Sequence, residues 1–254
     1  MQGALVYRKS YNKDVLFKVV RIDGKIAHLE GYNNRLSATS PLNDLVIASI
    51  NEISEADFNF EKEIDLLYAK LSGVNAHVTG KILHIDGDNK YLKNCLLLYK
   101  KLGLNAYGFH VKEFDLDKQI IAILQQINPD ILVITGHDAY NRKGLYNMDN
   151  YINSNYFVEC LKKIRKYYSK DDLVIFAGAC QSNFEALIYS GSNFASSPNR
   201  VNIDAYDPAI VAIKLATTSI TKVIEMDDIY DYVKSKNRGI SGVETYGKMR
   251  LIYR

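Results

Sequence analysis

Over residues 1–48 apolar and polar positions alternate in short runs, VYRKS, VLFKVVRI, KIAHLEG and RLSATSP. A period of two marks strands with one buried face. The separators YNKD, DG and YNN are turn formers, so the segment predicts a small antiparallel barrel of about five strands. A helix-rich connector takes residues 49–80. From residue 81 the rhythm changes to apolar runs that do not alternate, each followed by a helical period. KILHID, NAYGFHV, DILVITGHD and DLVIFAGA read as strands. NKYLKNCLLLYKKLG, LDKQIIAILQQIN, SNYFVECLKKIRKYY and SNFEALIYSG read as the helices between and after them. Strands that are apolar throughout are buried on both faces, so residues 81–254 predict a mainly parallel sheet between helical layers.

Two of these strands finish in reactive side chains. One ends Thr135-Gly136-His137-Asp138 and the next ends Gly178-Ala179-Cys180-Gln181. In a parallel sheet both ends emerge at the same edge, where open α/β sheets carry their functional groups. A thiolate is the active nucleophile, and an imidazole beside it takes the thiol proton and later protonates a leaving amine. Cys180 also stands just before a predicted helix, whose N-terminal dipole favours the thiolate. The backbone N–H groups of Cys180 and of Asp138, the residue after His137, are candidates for an oxyanion hole. A lone cysteine at a strand end is commonly a small buried hydrophobe. The paired strand endings weigh against that reading here. Cys95 and Cys160 sit on helices and read as core, while His28, His77, His84 and His110 lie in or beside strands with no matching partner.

Composition narrows the class further. Thirty-two basic and 29 acidic residues leave a net charge of +3, too balanced to announce a nucleic-acid partner. The opening residues lack the apolar core of a signal peptide, and no run approaches the roughly 20 apolar residues that span a bilayer. A cytoplasmic protein without a membrane association is therefore expected. The three cysteines, with no C-x-x-C spacing, argue against a disulfide framework and a structural zinc site, so neither metal nor other cofactor is expected. No Arg follows Cys180 closely, as a cysteine phosphatase requires. No His lies downstream of it, as an amidotransferase-type elbow requires. Caspase-like peptidases instead place the His after one strand and the Cys after the next. The expectation is an SH3-like β-barrel (1–48), a connector (49–80) and a caspase-like αβα sandwich (81–254). A non-catalytic scaffold is the alternative.

The runs VYRKSYNKDVLFKVVRIDGKIAHLEG, ILVITGHD, FAGACQSNFEALIYSGSNFASSPNRVNIDAYDP and GISGVETYGKM together resemble the YabG family of sporulation-specific cysteine peptidases, over essentially the whole chain. The resemblance implies an endopeptidase of the mother cell that associates with the forming spore coat. It further implies processing of coat and cortex-associated proteins, cleavage after arginine and cleavage of its own chain. The family's catalytic His and Cys, in T-G-H-D and A-G-A-C-Q-S, fall on His137 and Cys180. Asp204 departs from the family pattern, in which a His stands. An arginine before the cleaved bond is best met by a carboxylate in bidentate contact. Asp138, Asp204 and Asp207 are the candidates; the competing roles are orienting His137 for Asp138 and capping the helix AIVAIKLATT for Asp207, which precedes Pro208. The barrel offers no nucleophile and is expected to position substrates or partners.

Overall fold

The structure, a computed structural model, describes residues 1–33, 36–71 and 78–252. Asn34, Arg35 and residues 72–77, with His77 among them, lie outside the described residues. The fold is mixed α/β with two sheets. The first is antiparallel, built from β1 (Leu5–Arg8), β2 (Phe17–Asp23), β3 (Ile26–Gly31), β4 (Ser37–Pro41) and β5 (Leu45–Ile47) in the order β4-β3-β2-β1-β5. Its buried face is the apolar half of the alternation: Val6, Phe17, Val19, Ala27, Leu29 and Leu45. The DG turn joins β2 to β3, with Gly24 at φ +57°.

The connector is mostly one helix, α1 (Ile50–Leu71). The second sheet follows, from β6 (Ile82–Asp86), β7 (Ala106–His110), β8 (Ile131–Thr135), β9 (Val174–Ala177), β10 (Phe194–Ser196) and β11 (Ile240–Gly242). Its order is β11-β10-β9-β8-β6-β7, with β6 to β10 parallel and β11 antiparallel. Helices α2 (Asn89–Lys101), α3 (Leu116–Ile127), α4 (Ser154–Ile164), α5 (Phe184–Tyr189), α6 (Asp207–Thr217), α7 (Met226–Tyr230) and α8 (Lys236–Gly239) complete the chain.

The strands divide their side chains between two cores. Ile82, Val133, Val174 and Phe176 pack with Cys95, Leu98 and Tyr99 of α2 and with the apolar length of α6. Leu83, Ile85, Leu132, Ile134 and Ile175 pack on the other face with Ile120 and Leu124 of α3 and with Phe157, Cys160 and Leu161 of α4. Helices therefore cover both faces, which is why these strands carry no polar alternation. Cys95 and Cys160 are core residues, as the sequence implied. The segment VNI, whose Val and Ile favour a strand, is irregular: β10 lies earlier, at Phe194–Ser196.

Parallel strands deliver their ends to one edge. Ile134 of β8 is paired with Ala177 of β9, so His137 and Cys180, each three residues on, leave the sheet at the same level on neighbouring strands. The chain turns sharply after β9, with Gly178 at φ +105° and Gln181 at φ +58°. A Cβ on Gly178 would collide with Ser196 Oγ and stand 2.7 Å from Leu187 Cδ1. Gly178→Ala is expected to destabilise the fold by about 2 kcal/mol or more, from left-handed strain and overpacking together. Thermal unfolding checks this, and a melting temperature equal to wild type would show that the turn relaxes.

Candidate active site

His137 is held from two directions. Its backbone N–H donates to Glu113 Oε1 at 2.7 Å, and its ring Nε2 lies 3.2 Å from Asp88 Oδ2. Gly87 and Gly136 make room for the buried Glu113 carboxylate, since a Cβ on either would overlap it. Asp88 is the N-cap of α2, where its Oδ1 accepts from Lys90 N at 2.8 Å and Tyr91 N at 3.2 Å. Its own N–H donates to Asp86 Oδ1 at 2.9 Å. One carboxylate thus caps a helix with one oxygen and grips the imidazole with the other. Glu30, from β3 of the first sheet, comes within 3.8 Å of the same Nε2. The other ring nitrogen, Nδ1, is buried and makes no hydrogen bond among the described residues.

The electrostatics oppose one another and the charges win. Burial disfavours the charged ring, but the Asp88 hydrogen bond and the negative charges of Glu30, Asp88 and Glu113 hold the His137 pKa above its ordinary value. Burial pushes the Asp88 carboxyl up, while the His137 hydrogen bond and charge bring it below the usual carboxylate value.

Cys180 is buried, and its Sγ lies 3.7 Å from the carbonyl oxygen of Ile203. The irregular segment after β10 runs along the cysteine turn, with Gln181 N donating to Val201 O at 3.1 Å and Gln181 Nε2 to Asn202 Oδ1 at 3.0 Å. Beside His137 opens a cleft of about 530 Å³ between the two sheets. Glu30, Thr39, Glu113, His137, Tyr140 and Gln181 line it, and among the described residues no Lys or Arg does.

The three predicted pocket carboxylates lie elsewhere, and none lines this cleft. Asp138 is buried and accepts from Ala139 N, Asn153 N, Ser154 Oγ and Ser182 Oγ. It therefore ties the end of β8 to the start of α4 and to the cysteine turn, and it makes no contact with the His137 ring among its hydrogen bonds. Asp204 accepts from Tyr206 N and pairs with Lys234 at 3.2 Å. Asp207 is the first residue of α6 but does not cap it; Tyr206 holds the cap position. Its carboxylate accepts instead from the N–H groups of Asp204, Lys234 and Ser235 and from Ser235 Oγ, clamping the chain before α8.

Asp88, Glu113 and Glu30 escaped the sequence reading. A signal for the first existed: HIDGD ends a strand beside the one that ends in THR-GLY-HIS, and only the sheet order β8-β6 reveals that they touch.

A family model described as YabG peptidase U57 matches residues 1–254. The chain is 39% identical to the sporulation-specific protease YabG of Bacillus subtilis (strain 168), over 98% of this chain and 96% of that protein. Among solved structures, a probable two-component response regulator with a GGDEF domain matches 51% of this chain and 45% of its own at 14% identity, with a TM-score of 0.31. A likeness at that score carries no argument. Among the described residues no helix is long and apolar enough to cross a membrane.

The Asp207 clamp has a pH signature. Burial, then the Asp204 charge, pushes its carboxyl up to about 6. A raised folded-state pKa means the native state holds the proton more tightly, so the stability it confers is full below about pH 4 and is lost as pH rises to about 6. The stability of wild type relative to Asp207→Asn is expected to fall by about 3 kcal/mol between those limits and then stay level. Denaturant unfolding across pH checks this; a flat difference would mean the proton is released at the unfolded value.

Proposed function

The chain belongs to the YabG peptidase family, and we propose that it is a cysteine endopeptidase of sporulation in which Cys180 is the nucleophile and His137 its base. The observation that carries this is the register of β8 and β9, which brings the two residues to one level on adjacent parallel strands. The same placement, with helices on both faces, supports a caspase-like reading of the second sheet, and the first sheet is read as SH3-like. The relative's name supports a role in sporulation. The family resemblance supports action in the mother cell on coat and cortex-associated proteins, with cleavage after Arg and of its own chain.

The chemistry runs in two halves. The proton of Cys180 Sγ passes to His137, and the thiolate adds to the scissile carbonyl carbon. The C–N bond breaks, the imidazolium proton leaves on the amine, and a thioester remains. Water then gives a proton to the imidazole and its oxygen to the carbonyl carbon. The S–C bond breaks, the acid departs, and the proton returns to sulfur. The backbone N–H groups of Cys180 and Asp138 are the proposed donors to the oxyanion. Because Sγ faces the Ile203 carbonyl, the 201–203 segment must move aside for a substrate to reach it. The acidic lining of the cleft supports a cationic side chain in the substrate. Glu30 and Asp149, which line the cleft, join Asp138, Asp204 and Asp207 as the candidate carboxylates to meet it.

One observation favours a second reading. Glu30, Asp88 and His137 each offer a ligand atom within 4.8 Å of the others, enough for three positions of a metal centre. A hydrolytic metal would activate water and leave Cys180 dispensable. The two are separated by one set of assays on an Arg-containing peptide amide. Cys180→Ala and His137→Ala are each expected to lower kcat by roughly 1,000-fold or more, since nucleophile and base act as a unit. Cys95→Ala should leave activity near wild type, and a chelator should have no effect. Cleavage by metal-free wild type but not by Cys180→Ala supports the thiol; chelator-sensitive cleavage by Cys180→Ala would overturn it.

A further inference from the structure

We propose that Asp88 is the positioning residue of the catalytic imidazole, holding Nε2 so that Nδ1 faces the Cys180 thiol. This rests on the thiol reading above and goes beyond the pair of residues it names. Three observations converge. Asp88 Oδ2 is the hydrogen-bond partner of Nε2, at 3.2 Å. Nδ1 is the nitrogen left unbonded, in a buried setting where an unsatisfied polar atom is costly unless something requires it. The third is that Cys180 leaves β9 at the level where His137 leaves the neighbouring β8.

Asp88 is well anchored for the task. Its Oδ1 is committed to the two N-terminal N–H groups of α2, and its backbone N–H to Asp86. The carboxylate therefore cannot rotate without uncapping the helix, so Oδ2 stays aimed at the ring. A carboxylate there fixes the proton on Nε2, leaves Nδ1 with its lone pair for the thiol, and stabilises the imidazolium once the thiol proton has moved. Orientation and charge stabilisation are the functions of the acidic member of a serine-peptidase triad. Glu30 is a weaker candidate: its distance of 3.8 Å is too long for a hydrogen bond.

The cap supplies a clean test. Asp, Asn and Ser are about equally good N-caps, so Asp88→Asn and Asp88→Ser should fold and melt close to wild type. In Asp88→Asn the amide oxygen must keep accepting from Lys90 and Tyr91, which turns the amide N–H₂ toward Nε2. The ring is then forced into the tautomer with its proton on Nδ1, facing the thiol, and can no longer act as base. In Asp88→Ser the hydroxyl caps the helix but is too short to reach the ring, which is left free rather than inverted. With full-length protein and a fluorogenic Arg peptide amide, Asp88→Asn is expected to lose roughly 100-fold or more in kcat, and Asp88→Ser less. In both, the alkaline limb of the kcat/KM profile, which reports loss of the imidazolium proton, should move to lower pH by about one unit.

Equal losses in the two variants with an unmoved alkaline limb would show a purely structural role and overturn the proposal, as would full activity of Asp88→Asn. Cys180→Ala, run in parallel, keeps the two ideas apart. If it is inactive while Asp88→Asn is fully active, only the role of Asp88 falls; if it still cleaves, the thiol reading itself falls.

Discussion

The buried Asp138 carboxylate fixes the geometry on which the site depends. One of its oxygens takes the N–H groups of Ala139 and Asn153, and the other takes the hydroxyls of Ser154 and Ser182. Those donors belong to the end of β8, the start of α4 and the turn after β9. Each hydroxyl is itself engaged, Ser182 Oγ accepting from Ala179 N and Ser154 Oγ from Asn183 N. The residue before Asp138 is His137 and the residues flanking Cys180 are Ala179 and Gln181, so the two turns are braced against one another through a single carboxyl group. Burial pushes that carboxyl up, and the hydrogen bonds from Ser154, Asn153, Ser182 and Ala139 restrain the rise. Breaking one donor would strand the others in an apolar setting, which is why such networks rigidify when complete.

On that frame, the imidazole sits among more carboxylates than its own charge balances. Glu113 faces its backbone, Asp88 its ring, and Glu30 closes from the first sheet. Burial alone would empty the ring of its second proton. The carboxylates outweigh burial, so the pKa of the ring stays above its ordinary value. Cys160 shows the opposite case: burial and then the Asp117 charge push its thiol up, Lys163 lowers it only in part, and it is a core residue.

What the sequence disclosed and what it withheld divide on physical lines. Buried strands announce themselves through apolar runs, and β6, β8 and β9 fall where those runs do, while β7 is the more exposed edge strand. That His137 and Cys180 leave the sheet at one level was legible because each ends such a run after a glycine, a local feature. Asp88 and Glu113 were not, because their partner is set by the strand order β9-β8-β6-β7, which inverts the chain order at β6. Glu30 required the docking of one sheet on the other, which no local pattern encodes. The Val and Ile of VNI favour a strand, yet the segment lies against the cysteine turn, with Gln181 N donating to Val201 O. Asp207 before Pro208 looked like a cap, but a helix begins at Asp207 itself, and the carboxylate reaches the segment before α8.

The joint between the sheets decides whether the cleft keeps its shape, and the partly exposed Lys90 contacts beside it are the lesser part of the hold. Lys90 reaches Asp57 at 3.1 Å and lies over the Tyr32 ring at 3.3 Å, but both charges are partly exposed, and such pairs contribute about 0–1 kcal/mol. More of the hold comes from bonds that water cannot replace cheaply. The buried Tyr91 hydroxyl donates to Gly31 O at 3.2 Å, and the backbone of Leu36 bridges that of Asp138. Tyr91 stands in the first turn of the helix that Asp88 caps, and its ring lies 6.3 Å from that of His137. Asp138 is the brace of the two turns. The first sheet is therefore fastened to Tyr91, in the first turn of the helix that Asp88 caps, and to Asp138, the residue next to His137, so a displacement of that sheet would be felt at the ring through Glu30 and Tyr91 together.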